Sequence, residues 1–180
     1  MSNEKEILEF GIKRENEERR DGGCGIIFDP ETQLYAVGRD IDNKRMVRLF
    51  GGGFNPGEDE KEGTLREVIE ESGLNDFLHI EKIDKVICHF HNNSKNVDRV
   101  AEATCFFMIL KSKNLIDTRL EEHEKFILDW VNAEEILSCW FSINHNKDYD
   151  HWIYFLKKSV KRAKELGYDT TSIVENLDQK

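Results

Sequence analysis

The sequence predicts an α/β or α+β chain in which strands and helices alternate irregularly, and three observations carry that reading. Short apolar runs of strand length are bounded by turn residues. One acidic helical stretch interrupts them. A long amphipathic helix follows near the end of the chain.

The elements follow in order. Residues 1–21 are mostly charged, with a short amphipathic turn expected around Ile7, Leu8 and Phe10, and read as a partly ordered lead-in. Cys24–Phe28 fits a first strand, and Asp29-Pro30-Glu31-Thr32 supplies turn chemistry. Leu34–Val37 continues as a second strand, so the pair reads as a hairpin. Met46–Phe50 alternates apolar and basic residues and predicts a third strand, which runs into a loop at Gly51-Gly52-Gly53. From about Glu60 to Ser72 the pattern is helical, with Gly73 as its C-terminal cap. Two longer β-rich stretches, Ile80–Phe90 and Val97–Leu110, flank the polar loop 92–96. Phe126–Val131 predicts a further strand and Ala133–Leu137 a short helix. In Asp150–Leu166, residues Trp152, Phe155, Leu156, Ser159, Val160 and Ala163 recur at helical spacing, and Gly167 ends the run.

Composition narrows the class. The chain has 180 residues, the size of one domain. Leu, Ile, Val and Phe fill 50 of them, above the roughly one-fifth floor of disordered chains. Charged residues make up 34% and the net charge is −10, which argues against general nucleic-acid binding. An acidic protein can still take a phosphorylated small molecule through a bridging divalent cation. No apolar run reaches the ~20 residues of a spanning helix, and the start lacks the order of a signal peptide. Cys24, Cys88, Cys105 and Cys139 stand far apart without a Cys-x-x-Cys pair. Free thiols in such a chain lead us to expect a cytoplasmic protein with no membrane partner.

The informative stretch is GGGFNPGEDEKEGTLREVIEESGL, Gly51 to Leu74. On a helical wheel with Leu65 at 0°, Val68 and Ile69 fall at about 300° and 40°, an apolar stripe expected to pack inward. Glu67, Glu70 and Glu71 fall at about 200°, 140° and 240°, on the other side. Like charges at this spacing repel, and a hard divalent cation offsets that cost better than solvent does. Three glycines in a row expose bare backbone that can approach a metal or a phosphate closely. Taken alone, each half reads as a flexible loop or a solvated acidic face; together they point to an ion site.

Gly52, Glu58, then Arg66-Glu67-Val68-x-Glu70-Glu71-x-Gly73-Leu74 match the Nudix box at every defined position, and the chain resembles the Nudix hydrolase family. A chance match is on the order of 10⁻⁷ from average residue frequencies. The resemblance implies a Nudix fold, an α/β/α sandwich around a mixed β-sheet, here with an extra C-terminal helix. It implies a Nudix hydrolase domain at 22–147 after the lead-in, with the C-terminal helix and tail, 148–180, packed on the same domain. Phe50 stands where many members carry proline, which is expected to alter loop packing and not the chemistry.

The resemblance also implies roles. Glu70 and Glu71 would be the principal ligands of Mg²⁺ or Mn²⁺, with Glu67 a ligand or the general base. Gly51 would offer a backbone carbonyl to the ion, Arg66 would orient the carboxylates, and Glu58 would brace loop and helix, with Gly52 and Gly73 structural in the motif. A further acidic ligand before a tryptophan fits Glu124 ahead of Trp130, with Glu121, Glu122 and Asp129 as competitors. The implied reaction is hydrolysis of a phosphoanhydride bond in a nucleoside-diphosphate-linked compound. No proline follows Pro56 and no tyrosine lies between Tyr35 and Tyr149, so the features usual in ADP-ribose and dinucleoside-polyphosphate hydrolases are missing. A nucleoside-triphosphate-type substrate is the default. ADP-ribose, a nucleotide sugar, a dinucleoside polyphosphate, or a non-catalytic nucleotide-binding module are the alternatives.

Other residues are candidates for substrate contact. Arg39, Lys44, Arg45 and Arg48 precede the box and could meet phosphates, or serve as ordinary strand-edge charges. Phe54 could touch substrate or simply pack. Phe90 or His91 could stack on a base, whereas Cys88, His89 and His91 resemble a zinc cluster only superficially, since Cys88 and His89 point to opposite faces of a strand. Trp130, Trp140 and Trp152 read as core or interface anchors.

Overall fold

The computed structural model describes residues 5–171, so the ends of the expected lead-in (1–4) and tail (172–180) lie outside the described residues. Its strands are β1 (Glu9–Gly11), β2 (Glu18–Arg19), β3 (Gly22–Asp29), β4 (Leu34–Asp40), β5 (Val47–Arg48), β6 (Phe50–Gly53), β7 (Phe77–Asn92), β8 (Val97–Leu110) and β9 (Phe126–Val131). The helices are α1 (Glu60–Ser72), α2 (Ala133–Ile143) and α3 (Asp150–Glu165). None of them is long and apolar enough to cross a membrane.

One mixed sheet organises the chain, in the order β1-β7-β8-β3-β4-β5, with β2 on β8, β6 on β3 and β9 on β4. At its centre β3 runs parallel to β8 along almost its whole length. Its other edge is shared. Gly22–Gly25 pair with β6, whereas Ile27–Asp29 pair with β4. Both sheet faces are buried, and side chains alternate between them with the strand period of two. Cys105, Phe107 and Ile109 of β8 join Trp140, Phe155 and Leu156 in one core. Phe106, Met108 and Leu110 join Val68 and Leu74 in the other. The result is an α/β/α sandwich, with α1 on one face and α2 and α3 on the other, as the resemblance implied.

Local chemistry places α1. The Asp59 carboxylate accepts the Lys61 and Glu62 N–H groups at its start, a cap worth about 1 kcal/mol. Gly73 ends it in the left-handed conformation, φ 76°, where its N–H donates to the Ile69 carbonyl. The helix lies close to the sheet because β3 offers Gly23 and Gly25 beneath it. A Cβ at Gly23 would strike Thr64, and one at Gly25 would strike Val68.

Three expectations are corrected. The glycine run is strand β6, not a loop, because it pairs with Gly22–Cys24. The third strand is broken in two, β5 pairing with β4 and β6 with β3. The segment around Ile7–Phe10 forms no amphipathic turn: Glu9–Gly11 is a parallel strand on β7. Ion pairs fasten it there. Buried His89 of β7 bonds Glu9 through Nε2 at 2.6 Å and Glu17 through Nδ1 at 2.9 Å. Burial opposes charge on this ring, but the two carboxylates outweigh it and raise its pKa.

Candidate active site

Arg66 is the hub of the α1 acids. Its Nε and Nη2 donate to the two Glu58 oxygens at 2.7 and 3.0 Å, a bidentate pair. Its Nη1 donates to Glu67 at 2.8 Å and reaches Glu70 at 3.5 Å, while Nη2 also meets the Gly53 carbonyl. Glu58 further accepts the Asn55 N–H. The Arg66 bonds, then that N–H, hold the Glu58 pKa down to about 2. Glu58 is therefore fully committed to bracing β6 and α1.

Glu71 is placed otherwise. The wheel set it on the outer side, yet it is 4% exposed, and Ile69, expected inside, is only half-buried. The buried face of α1 is Gly63, Thr64, Val68, Glu71 and Ser72, because the helix seats over the glycines of β3 and β6. Glu71 accepts the Gly51 N–H at 2.8 Å and Arg48 Nη2 at 3.2 Å. The Arg48 guanidinium lies 4.3 Å above the Phe126 ring. Burial pushes the Glu71 pKa up to about 8, against Arg48 and Gly51 and with help from neighbouring Glu124.

Glu67 is raised for similar reasons: burial first, opposed by Arg66, then the charges of Glu70 and Glu124. A Cβ at residue 52 would come within 2.5 Å of its carboxylate, so Gly52 leaves the Glu67 side chain its present position. Glu124 arrives from the loop before β9, its Oε2 held by the Glu121 N–H at 2.8 Å. Glu121, His123 and Glu124 bring ligand-type atoms within 4.8 Å of one another.

Glu67 and Glu124 border a cleft of about 490 Å³, lined also by Gly51, Gly52, Glu121, Arg48 and Phe90, and Glu71 touches that lining through Gly51 and Arg48 without being part of it. Glu70 does not line it; its side chain faces Arg66. Of the other acidic candidates, Glu122 is outside the lining, and Asp129 is bound by Arg39 Nε at 2.5 Å. Arg39 is further tied to Glu135 and to the Lys44 carbonyl, away from the cleft. Phe54 packs its ring against Gly23 and Gly63, also outside the lining.

Sequence reasoning missed four lining residues of consequence. Arg20 follows β2, where its N–H donates to the Val100 carbonyl, and its guanidinium lies against Gly53. Lys95 and Arg99 come from the β7–β8 hairpin, and His151 from α3. The lead-in's charge was visible, but its pairing with the sheet was not.

Carboxylate oxygens in excess of local cations are the donor set a hard divalent ion prefers, so Glu67, Glu71 and Glu124 fit such an ion. A mixed sheet carrying this acid-rich helix beside a cation-rimmed cleft defines the class of protein. The NUDIX domain family model matches residues 18–155, and the chain belongs to that family. A MutT protein from Methanosarcina mazei Go1 shares 21% identity, at a TM-score of 0.52 over 84% of this chain and 99% of that one. A protein described as a NUDIX hydrolase from Listeria monocytogenes shares 25% identity, at 0.59 over 81% and 95%. The NUDIX domain of Shewanella oneidensis NrtR, solved with ADP ribose, shares 12% identity, at 0.56 over 83% and 90%. No curated protein matches the sequence.

Proposed function

We propose that the protein hydrolyses a phosphoanhydride bond of a nucleoside-diphosphate-linked compound, with a nucleoside triphosphate as the leading substrate type and Mg²⁺ or Mn²⁺ as cofactor. The observation that carries this is the placing of Glu67 and Glu124 in the lining of a cleft that Arg20, Arg48, Lys95 and Arg99 also line, with buried Glu71 bonded to Arg48 and Gly51 of that lining. Glu71 and Glu124 would hold the ion, with Glu70 at the edge of the group, the Gly51 backbone beside it and Glu67 left as the base. When bound, a divalent ion neutralises phosphate oxygens and makes water more acidic.

The chain's own residues supply the rest. Arg48 and Arg20 bind the phosphates. Arg66 fixes Glu67 so that one carboxylate oxygen remains free toward the cleft. Glu67, its pKa raised by burial, accepts a proton from the attacking water. The water oxygen bonds to phosphorus as the bridging P–O bond breaks, and phosphate or pyrophosphate leaves with the bond's electron pair. Arg39, tied to Asp129 and Glu135, serves structure in this reading, as does Phe54.

The test is product formation from a panel of nucleoside triphosphates, nucleotide sugars, dinucleoside polyphosphates and ADP-ribose, with and without Mg²⁺, read by phosphorus NMR so that nucleoside and sugar monophosphates are seen as well as phosphate and pyrophosphate. ADP-ribose is included because the NrtR domain was solved with it. Magnesium-dependent release is expected. Tight binding without release of any product would make the chain a nucleotide-binding module instead.

A further inference from the structure

Arg20 reaches the cleft at the end of a polar strap. Residues 12–17 join β1, on the outer edge of β7, to β2, on the far edge of β8, and the Arg20 guanidinium then lies against Gly53. Arg48 and Arg99 of the same lining are paired with Glu71 and Glu18, whereas no carboxylate pairs with Arg20 among the described residues. Its place therefore depends on the backbone that carries it. Ahead of the strap, Phe10 packs on Tyr154 with 4.9 Å between ring centres, so β1 is anchored in the core. From 12 to 19 the only apolar residue is Ile12, and it is exposed. Polar contacts alone hold this length, and most of it precedes the segment that the NUDIX model matches.

The buried one among these contacts is Glu17. Its side chain is 6% exposed, and both oxygens lie 2.9 Å from His89 Nδ1. Across the ring, Nε2 meets Glu9 at 2.6 Å. A neutral imidazole has one N–H and one lone pair, and a lone pair facing a carboxylate repels it. Carboxylates at both nitrogens therefore select the imidazolium. A phenylalanine would fill this space without the cost of burying charge, so what the ring adds is a bond that depends on its own proton. The other charged groups around it are Lys13 and Arg14 of the strap, His91 of β7, Asp98 and Arg99 of β8, and Asp148 before α3. Arg14 bonds Asp148 at 2.7 Å and Asp98 at 3.4 Å and keeps its charge at any working pH. His91 titrates too, but its partner at 2.9 Å is Asp98 of β8, not a strap residue.

Resting on the hydrolase reading only for the role of Arg20 toward phosphates, we infer that His89 is a positioning residue: clasped between Glu9 and Glu17, it holds residues 12–19 on the sheet and so keeps the Arg20 guanidinium in the cleft. Loss of one ring proton turns a lone pair on one of the two carboxylates and loosens the strap between its anchored start and Arg20. Burial opposes the charge on His89, and Glu9 and Glu17 outweigh it, so the folded pKa is raised. Burial likewise opposes the charge on Glu17, and the Arg14 N–H and His89 outweigh it, so that pKa is lowered. The clasp is therefore complete below pH ~6.5 and is lost as pH rises through the raised value for His89.

The probe is methylenediphosphonate, whose P–C–P bridge resists hydrolysis. Its Kd is measured by calorimetry with Mg²⁺ at about pH 6.5 and about pH 9 for wild type and Glu17→Gln, each with and without Arg20→Ala. A glutamine bonds a neutral ring through its oxygen or its amide N–H, so the variant keeps the strap down without the charge. Between the two pH values wild type is expected to lose about fivefold more affinity than Glu17→Gln, and that excess is expected to vanish with Arg20→Ala. A Glu17→Gln profile that follows wild type, or an excess that persists with Arg20→Ala, would overturn the inference. A second measurement needs wild type alone: ¹⁵N shifts of the His89 ring across pH, beside exchange of the Arg20 N–H, which bonds the Val100 carbonyl, corrected for its intrinsic pH dependence. Both ring nitrogens are expected to be protonated at pH ~6.5, and the Arg20 N–H to lose protection as the second proton leaves. A singly protonated ring at that pH, or unchanged protection, would overturn the inference. If no compound of the panel yields product yet the phosphonate binds as expected, the hydrolase reading fails and the clasp stands.

Discussion

Glu58, just before α1, and Glu71, in its last turn, belong to the same motif and meet opposite fates. Glu58 takes two guanidinium bonds and a backbone N–H, and its pKa falls to about 2. Glu71 lies buried with one arginine at 3.2 Å, one N–H and another carboxylate nearby, and its pKa climbs to about 8. One acid is spent on holding the fold. The other is favoured as the neutral acid because its surroundings do not balance the charge of its carboxylate, and that imbalance is what a cation can use. The difference separates bracing residues from ligand residues within a single stretch of sequence.

The comparison breaks most visibly in turnover. Glu71→Gln and Glu67→Gln keep the shape and remove the charge, so each is expected to lower kcat about a hundredfold or more at saturating Mg²⁺. Glu70→Gln should follow them if its side chain joins the group on ion binding. Near-normal rates for all three in a steady-state assay would place the ion elsewhere. Glu58→Gln acts only by loosening Arg66, and a smaller loss, about tenfold, is expected.

Glu124 extends the same contrast to the loop before β9. It adds to the raised pKa of both Glu67 and Glu71, whereas Glu122 does not line the cleft. Glu124→Gln is expected to lower activity about tenfold at limiting Mg²⁺, with little change for Glu122→Gln. Glu121 holds Glu124 through its backbone N–H, so Glu121→Gln should also stay close to wild type. Rate against Mg²⁺ concentration for the three variants decides it: overlaid curves would return Glu124 to the surface, and a defect at Glu121 would move the ligand there.

Legibility followed the range of the interaction. Helix α1 could be read to the residue because its stop is local: Gly73 adopts the left-handed conformation that ends it. The box, too, lies within one short stretch. Gly51–Gly53 looked like a loop because glycine has no strand preference of its own, and only pairing with the distant glycines of β3 makes it a strand. Glu71 was set on the wrong side because the wheel assumed that only apolar residues face inward. Arg20 and His151 reach the cleft through β2 and α3, from opposite ends of the chain, and no periodicity reports such a meeting.

The smallest expected effect concerns the metal-free protein, and it sharpens the comparison through its sign. Glu71 has a folded pKa raised above its unfolded value, so the fold favours the protonated acid. Its contribution to stability is present below pH ~4.5 and is lost as pH rises through about 8. Glu58 runs the other way: its folded pKa is depressed, so its contribution is present above pH ~4.5 and is lost as pH falls toward 2. In chelator, Glu71→Gln should raise the Tm at pH 8 by about 2–4 °C, an effect of about 1 kcal/mol, and flatten the decline between pH 5 and 8. Glu58→Gln should leave that slope intact and lower the Tm. Added Mg²⁺ should stabilise wild type more than Glu71→Gln, because only the native state assembles the carboxylates. Thermal melts across pH, with chelator and with Mg²⁺, measure all of this. An unchanged slope in Glu71→Gln would mean that its carboxylate is already balanced in the folded protein, and the distinction between the two acids would fall.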